Sequence, residues 1–184
     1  MRRLIIVLGL PASGKTTLGR ALAGAHDLPF LDKDDILEAL FESLGTGDDA
    51  WRERLSRASD SVLESIVRRL DGGAVLTSFW RHPLSKVARG TPVDWIGKLP
   101  ATVVEVHCEC PAQIAVTRFQ DRVRHAGHND GRRTAEQLLA QFEDLAALGP
   151  LGLGRLVQVD TSKRSVKVSE AYTVCSSGER PTPL

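Results

Sequence analysis

The stretch from Leu4 to Ala23, LIIVLGLPASGKTTLGRALA, decides how this chain is interpreted. Its start imitates a secretory signal, because basic residues precede an apolar run, but that run is at the lower limit of length for a signal core. Residues 9 to 16 then fit the pattern G-x-x-x-x-G-K-[ST] at every fixed position. The pattern follows a β-branched run and precedes a helical one, as a phosphate-binding loop requires. We therefore expect a cradle for phosphate here.

The spacing of this motif suits a nucleoside triphosphate. Gly9 and Gly14 allow a tight turn that points successive N–H groups inward, and the following helix adds its N-terminus to the anion site. Lys15 reaches the β- and γ-phosphates, and the Thr16 hydroxyl can ligate Mg²⁺. We predict ATP and Mg²⁺ as cofactors, and the loop residues that hold the nucleotide are Gly9, Pro11, Ala12, Ser13, Gly14, Lys15, Thr16 and Thr17.

Composition argues against several other classes of function. The 184 residues suit one α/β domain, and 24 Lys and Arg nearly balance 23 Asp and Glu. Net charge therefore does not support binding to nucleic acid or to a membrane, and no apolar run is long enough to span a membrane. Three cysteines are too few for a disulfide framework, which favours the cytoplasm. We expect a monomer or homodimer that acts on a small molecule.

Strand and helix patterns alternate along the chain. This alternation predicts a mainly parallel five-stranded sheet covered on both faces, the three-layer α/β sandwich of P-loop NTPases. We assign residues 1–175 to a single domain and residues 176–184 to a polar tail. The predicted strands cover 3–8, 28–32, 74–80, 101–109 and 155–160, and the predicted helices cover 15–25, 34–44, 51–70, a segment that starts at Pro111, and a segment capped by Thr134.

Carboxylates follow the second predicted strand. Asp32, Asp34 and Asp35 come at the carboxyl edge of the predicted sheet beside the phosphate loop, where open α/β folds bind ligands. A carboxylate there can position Mg²⁺ or accept the proton of an attacking hydroxyl. Capping of the next helix is the alternative interpretation, and it suits Asp35 best.

At these residues the chain resembles the small P-loop kinases related to shikimate kinase, gluconate kinase, chloramphenicol phosphotransferase and the kinase domain of polynucleotide kinases. The resemblance covers nearly everything except the tail, and it implies a nucleoside-monophosphate-kinase type of fold with a lid. It also implies that Asp34 is the catalytic base. Asp32 would help to position Mg²⁺ together with Thr16, and Lys15 would act on the transferred phosphate.

Two arginines follow in TRFQDR, one helical turn apart, where gluconate kinases carry a similar pair before a similar GH and a run like LLAQFEDL. The resemblance implies that Arg118 packs near the adenine and that Arg122 stands over the phosphates, in a lid of about residues 118–133. Such arginines neutralise the transferring group and exclude water. Arg124 is a substitute candidate because the residues VRHA are extra here. A solvated helix face is the alternative.

Three further positions are weaker candidates. The third strand pattern ends in LTSFW, without the acid of a Walker B strand. Shikimate kinases also lack an acid there, and this resemblance implies that Thr16 and Asp32 position the metal. Trp80 and Arg81 follow this strand and can face the acceptor, although packing without function explains them equally well. Thr161 in VDTSK comes where related kinases wrap the adenine. The thiols of Cys108 and Cys110 are interpreted as structural.

The leading hypothesis is transfer of the ATP γ-phosphate to a hydroxyl of a small polar molecule. Acids outnumber bases in residues 31–50, a region that contacts the acceptor in related kinases, and an anionic acceptor would favour arginines there. This imbalance suggests a neutral or cationic acceptor such as an aminoglycoside. The predicted acceptor-binding helices cover about residues 34–70, and the predicted acceptor contacts are Asp32, Asp34, Asp35, Glu38, Trp80 and Arg81.

Three alternatives stay open. Asp35, Glu38 and Glu42 share a helix face opposite the apolar stripe of Leu37, Leu40, Phe41 and Leu44, and an ordinary solvated face would explain them. A polynucleotide or nucleoside 5′-hydroxyl kinase would use the same loop on a different acceptor. A nucleotide-dependent switch would use it without any acceptor.

Overall fold

A computed structural model describes residues 2–86, 88–128 and 133–163 of the chain. Five parallel strands form one sheet in the spatial order β2-β3-β1-β4-β5. They are β1 (Arg3–Gly9), β2 (Phe30–Asp32), β3 (Gly73–Thr77), β4 (Thr102–Glu109) and β5 (Arg155–Asp160). The α-helices are α1 (Lys15–His26), α2 (Lys33–Leu44), α3 (Asp49–Arg69), α4 (Ala112–Asp121) and α5 (Ala135–Ala147). The predicted tail, 176–184, lies outside the described residues.

Both faces of the sheet are covered, and β1 lies at its centre. Ile5 and Val7 pack against α1 through Leu18 and Leu22. On the other face, Leu4 and Ile6 pack against α3 through Leu63 and Val67. A strand buried on both faces has to be apolar throughout, which is why LIIV is a continuous run. The predicted three-layer α/β sandwich with a parallel five-stranded sheet is confirmed.

Side-chain caps set several helix boundaries. The Asp32 carboxylate accepts a 3.0 Å hydrogen bond from the Asp34 N–H, so α2 begins at Lys33, one residue before the predicted start. Asp48 caps α3 in the same way through the Trp51 N–H. Thr134 forms a complete capping box with Gln137, which agrees with the predicted cap of α5.

Two details of the predicted pattern are wrong. The third strand ends at Thr77 rather than at Trp80, because the Trp80 side chain turns into the core and its indole N–H donates to the Val7 carbonyl at 2.9 Å. Leu44 was expected in the apolar stripe of α2, but it is 57% exposed. It lies at the end of α2, outside the cluster that this helix forms with α3.

Within the described ranges, no helix is both long and apolar enough to cross a membrane.

Candidate active site

The loop between β1 and α1 has the backbone shape that an anion cradle needs. Gly9 and Gly14 have φ angles of 139° and 95°, and Ala12 between them has a φ of 60°. A Cβ on Gly9 would lie 2.8 Å from the carbonyl oxygen of Cys108, so only glycine fits. The Ser13 N–H donates to the Leu10 carbonyl at 3.1 Å and closes the turn. The residues present therefore suit the phosphates of a nucleotide.

Lys15 is folded over this loop. Its ammonium group donates to the carbonyls of Gly9 at 3.1 Å and Leu10 at 2.8 Å. Burial lowers the pKa of Lys15 below its ordinary value, and the negative charges of Asp34 and Asp32 act in the opposite direction. The charges of the predicted site residues Lys15, Asp32 and Asp34 therefore act on one another.

Thr16 and Asp32 each supply a side-chain oxygen atom that would bind a Mg²⁺ ion. The Thr16 hydroxyl donates to Oδ2 of Asp32 at 2.8 Å, and Oδ1 accepts from the Asp34 N–H. Asp32 is only 6% exposed, and burial raises its pKa. Hydroxyl and carboxylate oxygens are the hard ligands that Mg²⁺ prefers, and phosphate oxygens normally complete its shell. The donor set therefore fits the predicted metal.

Lys33 anchors the start of α2 to α3. Its buried ammonium group donates to the Ser56 hydroxyl at 2.7 Å and lies 3.9 Å from the Asp60 carboxylate, both on α3. Asp60 also accepts a 2.7 Å hydrogen bond from the Thr91 hydroxyl. This polar network fixes the position of the turn from which the Asp32 and Asp34 side chains extend.

Asp34 faces a distant part of the chain. Its carboxylate is 45% exposed and lies 2.5 Å from the guanidinium of Arg124. The same guanidinium group lies 3.1 Å from Nε2 of His128, and that nitrogen lies 2.7 Å from Oε1 of Glu38. Asp34 and Glu38 are one helical turn apart, so a single face of α2 contacts the segment 124–128.

Aromatic packing holds the same segment. The Phe41 ring stacks on His125 with ring centres 5.3 Å apart, and it meets His128 edge-on. A Cβ on Gly127 would lie 2.6 Å from the Phe41 ring, so the main chain is in direct contact with this side chain. Nε of Arg52, on α3, donates to the Gly127 carbonyl at 3.1 Å.

These contacts add positive charge beside α2, the first of the predicted acceptor-binding helices. Glu38 was predicted to contact the acceptor from an acidic face shared with Asp35 and Glu42, with a solvated face as the alternative, and in the structure it is half-buried against His128. The absence of arginine from residues 31–50 also does not describe the folded site, because Arg124 contacts Asp34 and Arg52 donates to the carbonyl of Gly127 in the adjoining segment. The GH shared with gluconate kinases was the one sequence signal near His128, and no local signal pointed to Arg52, because each of these side chains contacts an element far away in the sequence.

The two arginines predicted for the lid lie in different environments. Arg118 donates to the carbonyls of Thr161 at 2.8 Å and Ser162 at 2.6 Å, so it holds the predicted adenine loop through the main chain. The Thr161 hydroxyl donates to the Glu109 carbonyl. Arg122 packs over the Phe119 ring at 4.2 Å, and its charge helps to lower the pKa of Lys15, after the larger effect of burial. Arg122 therefore packs on α4, whereas Arg124 contacts Asp34.

Trp80 and Arg81, the two predicted acceptor contacts after β3, both make contacts with other parts of the protein. Trp80 is 7% exposed and belongs to the core on the α3 face of the sheet. Arg81 donates to the carbonyls of Ala88 and Gly90, at 3.4 Å each. For Trp80 these contacts favour packing over acceptor binding.

A cavity of about 630 Å³ lies beside the first residues of the loop. Its walls come from the carboxyl ends of β1, β4 and β5 and from the end of α5. Gly9 and Leu10 of the phosphate loop line it, whereas Lys15, Asp32 and Asp34 do not, so it adjoins the start of the loop.

Known proteins resemble this chain over different lengths. Shikimate kinase from Corynebacterium glutamicum is 34% identical over 102 residues, which are 50% of this chain and 57% of that enzyme. The chain thus matches little more than half the length of this relative. A crystal structure of a candidate kinase from Chloroflexus aurantiacus has 27% identity and a TM-score of 0.71, and the match covers 94% of this chain and 96% of the other.

A gluconokinase from Sinorhizobium meliloti has the same fold, with a TM-score of 0.52 and 21% identity over 95% of this chain and 91% of its own. Residues 4–146 match the family AAA_33, described as an AAA domain. Since this match includes the phosphate loop, α2 and the segment 124–128, and covers most of the chain, the chain belongs to the AAA_33 family.

Proposed function

We propose that the chain is a small-molecule kinase that transfers the γ-phosphate of ATP to an alcohol group. The observation that carries this proposal is the convergence of Lys15, the Thr16–Asp32 pair and the exposed carboxylate of Asp34 beside one phosphate loop. The similarity to shikimate kinase supports it. A simple nucleotide switch has no need for a separate carboxylate on the helix that follows β2.

The reaction follows from these positions. The acceptor oxygen attacks the γ-phosphorus, the bond from that phosphorus to the bridging oxygen breaks, and ADP leaves. Asp34 accepts the proton of the acceptor hydroxyl. Lys15 and the loop N–H groups stabilise negative charge on the phosphates, and the charge of Arg122 adds to this. Mg²⁺ bound near Thr16 and Asp32 supplies further charge neutralisation.

We further propose that the acceptor carries an anionic group besides its hydroxyl. Arg124 contacts Asp34 and Arg52 donates to the carbonyl of Gly127 in the adjoining segment, and arginine suits a carboxylate because its planar guanidinium binds both oxygens. Shikimate, which the relative's name specifies, is itself a hydroxy acid.

A neutral or cationic acceptor, such as an aminoglycoside, is the second candidate. The observation in its favour is that Asp35 and Glu42 on α2 are both exposed. Against it, the carboxylates of Asp34 and Glu38 already have cationic or imidazole neighbours. We rank it below the hydroxy acid for this reason.

A panel of acceptors with ATP and Mg²⁺, analysed by the mass of the product, tests the proposal. The panel contains hydroxy acids, neutral sugars, aminoglycosides, nucleosides and 5′-hydroxyl oligonucleotides, and Lys15→Ala is the blank. A gain of one phosphate on any small molecule supports the kinase. Slow ATP turnover that no compound stimulates supports the switch, and phosphorylation of oligonucleotides alone supports a polynucleotide kinase.

The charge of the acceptor is tested by measuring how its KM changes with salt concentration and in one double variant. If the best acceptor is cationic, its KM rises with salt and rises again in Glu38→Gln/Glu42→Gln, because exposed charges are screened beyond about 8 Å at physiological ionic strength. If the best acceptor is anionic, Arg52→Gln raises its KM instead.

The proposal includes a cytoplasmic location, where ATP is available, and a monomer or homodimer.

A further inference from the structure

A hydroxyl group at the end of β3 is buried without a hydrogen bond. Thr77, the last residue of β3, is 1% exposed, and its Oγ1 forms no hydrogen bond of normal geometry with any part of the chain that the structure describes. The next hydroxyl along the chain differs, because Oγ of Ser78 lies 2.5 Å from Oγ1 of Thr91. Since a buried hydroxyl without a partner lowers stability, the Thr77 hydroxyl does not serve the fold.

Thr77 lies beside the proposed Mg²⁺ site. In the pairing of β2 with β3, its register partner is Asp32. The first turn of α1 covers the same place, because Thr16 donates to Asp32 at 2.8 Å. Gly19, three residues after Thr16, meets Thr77 directly, since a Cβ on Gly19 would lie 2.9 Å from Cγ2 of Thr77. Thr77 therefore lies on the α1 side of the sheet, next to the carboxylate that is proposed to position the metal.

The two branches of the Thr77 side chain have different surroundings. The methyl group packs against α1 at Gly19 and fills space in the core. The hydroxyl lies close to Asp32: burial raises the pKa of that carboxyl, and the Thr77 hydroxyl is the weakest of the donors that lower it. The strong donors to Asp32 are the Thr16 hydroxyl and the Asp34 N–H. Oγ1 of Thr77 is therefore aimed at the site with its lone pairs unused.

We propose that Thr77 is a positioning residue of the Mg²⁺ site, and that its hydroxyl and the Asp32 carboxylate together hold a water ligand of the metal. The inference rests on the proposed function, because it requires Mg²⁺ beside the phosphate loop. One proton of this water is donated to Asp32 and the other to Oγ1 of Thr77. Mg²⁺ in nucleotide sites keeps several water ligands, which need partners of this kind.

The position of Asp32 explains why β3 carries a hydroxyl and not an acid. The residues from Gly73 to Trp80 include no carboxylate, although β3 is the strand that supplies the Walker B acid in many P-loop proteins. An acid at position 77 would lie directly across from the buried Asp32, and two neighbouring carboxylates repel each other when no metal is bound. A neutral hydroxyl accepts from the same water without this repulsion.

The test is a pair of variants that separate the two branches of the side chain. Thr77→Val removes the hydroxyl and keeps the shape, whereas Thr77→Ser keeps the hydroxyl and removes the methyl group that meets Gly19. Binding of a non-hydrolysable ATP analogue is measured by isothermal titration at increasing Mg²⁺ concentrations, so no turnover is required. In Thr77→Val, the Mg²⁺ concentration that gives half of the gain in affinity should rise about tenfold, a typical loss for a partner outside the direct ligands. Thr77→Ser should coincide with the wild type.

Thermal unfolding without nucleotide separates this role from a structural one. Thr77→Val should keep or raise the Tm, because a buried hydroxyl without a strong partner is replaced by a methyl group. Thr77→Ser should lower the Tm, because it leaves a gap against α1. Thr91→Val, which loses a 2.7 Å hydrogen bond to Asp60, is the control for a buried hydroxyl that stabilises the fold, and it should lower the Tm. Thr102→Val, at the exposed amino end of β4, should change neither the Tm nor the Mg²⁺ dependence.

Two results overturn the proposal. The first is a Mg²⁺ titration of Thr77→Val that coincides with that of the wild type. The second is an equal shift in Thr77→Val and Thr77→Ser, because the hydroxyl is then not the cause. If Thr77→Val does not fold, Thr77→Ala replaces it; it differs from Thr77→Ser only by the hydroxyl, so equal titrations of these two variants also overturn the proposal.

Failure of the proposed function gives a different result. If Thr77→Val weakens the effect of Mg²⁺ but no compound in the acceptor panel is phosphorylated, the role of Thr77 is supported and the assignment as a small-molecule kinase is wrong. If an acceptor is phosphorylated and Thr77→Val has the Mg²⁺ dependence of the wild type, the kinase is supported and the role of Thr77 is wrong. If Mg²⁺ does not change the affinity of the wild type for the analogue, the role of Thr77 is also wrong.

Discussion

The hydroxyl of Thr16 donates a 2.8 Å hydrogen bond to the carboxylate of Asp32. This contact joins the first turn of α1, which follows the phosphate loop, to the residue that caps α2. One buried carboxylate therefore couples the proposed nucleotide site to the helix that carries Asp34.

Burial of this carboxylate costs stability at neutral pH. Because the pKa of Asp32 is raised in the folded protein, the folded state keeps its proton to higher pH than the unfolded chain does. Stability therefore falls as the pH rises from the unfolded pKa through the folded one. We expect Asp32→Asn to raise the Tm near pH 7 by ~2–4 °C, which corresponds to about 1 kcal/mol for a chain of this size.

This gain should disappear at low pH, where Asp32 is neutral in both states. Thermal unfolding followed by circular dichroism from about pH 4 to about pH 8 tests the dependence. Asp144→Asn, at an exposed position on α5, is the control. An equal shift at every pH would show that burial of charge is not the cause.

The same variant is expected to weaken Mg²⁺ binding. Asp32 and Thr16 supply the two protein oxygens of the proposed metal site, and an amide is a poorer ligand than a carboxylate. The Mg²⁺ concentration for half-maximal activity should rise about tenfold in Asp32→Asn, a typical loss when a metal-site carboxylate is altered. A titration that coincides with those of the wild type and Asp144→Asn would remove Asp32 from the metal site.

Lys15→Ala should abolish phosphoryl transfer while the fold is retained. The ammonium group contacts only loop carbonyls in this structure, so its removal leaves the core intact. We expect kcat to fall by about a hundredfold or more, as for loss of one preorganised donor. The far-ultraviolet circular dichroism should not change, and Lys98→Ala, at an exposed site, should keep full activity. A residual activity above about a tenth would contradict the assignment.

Asp34→Asn should lower kcat on the true acceptor by about a hundredfold, because the variant removes a proton acceptor. The affinity for ATP, measured by isothermal titration, should change little, since Asp34 is not part of the loop. Asp144→Asn, at an exposed position on α5, is the control. An equal loss of ATP binding in Asp34→Asn would assign this residue to the metal instead.

Cys108 should be unreactive in the folded protein. Burial raises the pKa of its thiol to about 12, so almost no thiolate is present at neutral pH. Iodoacetamide at about pH 8 should label Cys108 only after the chain is unfolded in denaturant, as measured by peptide mass spectrometry. Cys110, which is partly exposed, is the internal comparison. Rapid labelling of native Cys108 would contradict a purely structural role.

Much of the fold was predictable because its signals are local. The motif GLPASGKT specifies a backbone turn through its own glycines, and the continuous apolar run before it requires burial on both faces. Thr134 caps α5 through contacts within three residues. The end of β3 was missed because the position of Trp80 depends on a carbonyl acceptor 73 residues away.

The sequence alone determined the phosphate loop, the order of strands and helices, and the carboxylates at the end of β2, since each follows from the spacing of neighbouring residues. Only the tertiary structure decided which arginine meets Asp34, because Arg124 lies 90 residues away in the sequence. Arg122, two residues before Arg124, packs over the Phe119 ring instead. The tertiary structure also decided that Glu38 faces His128 rather than solvent. Periodicity specifies the face of a helix on which a side chain lies, but the partner across that face depends on how distant elements pack.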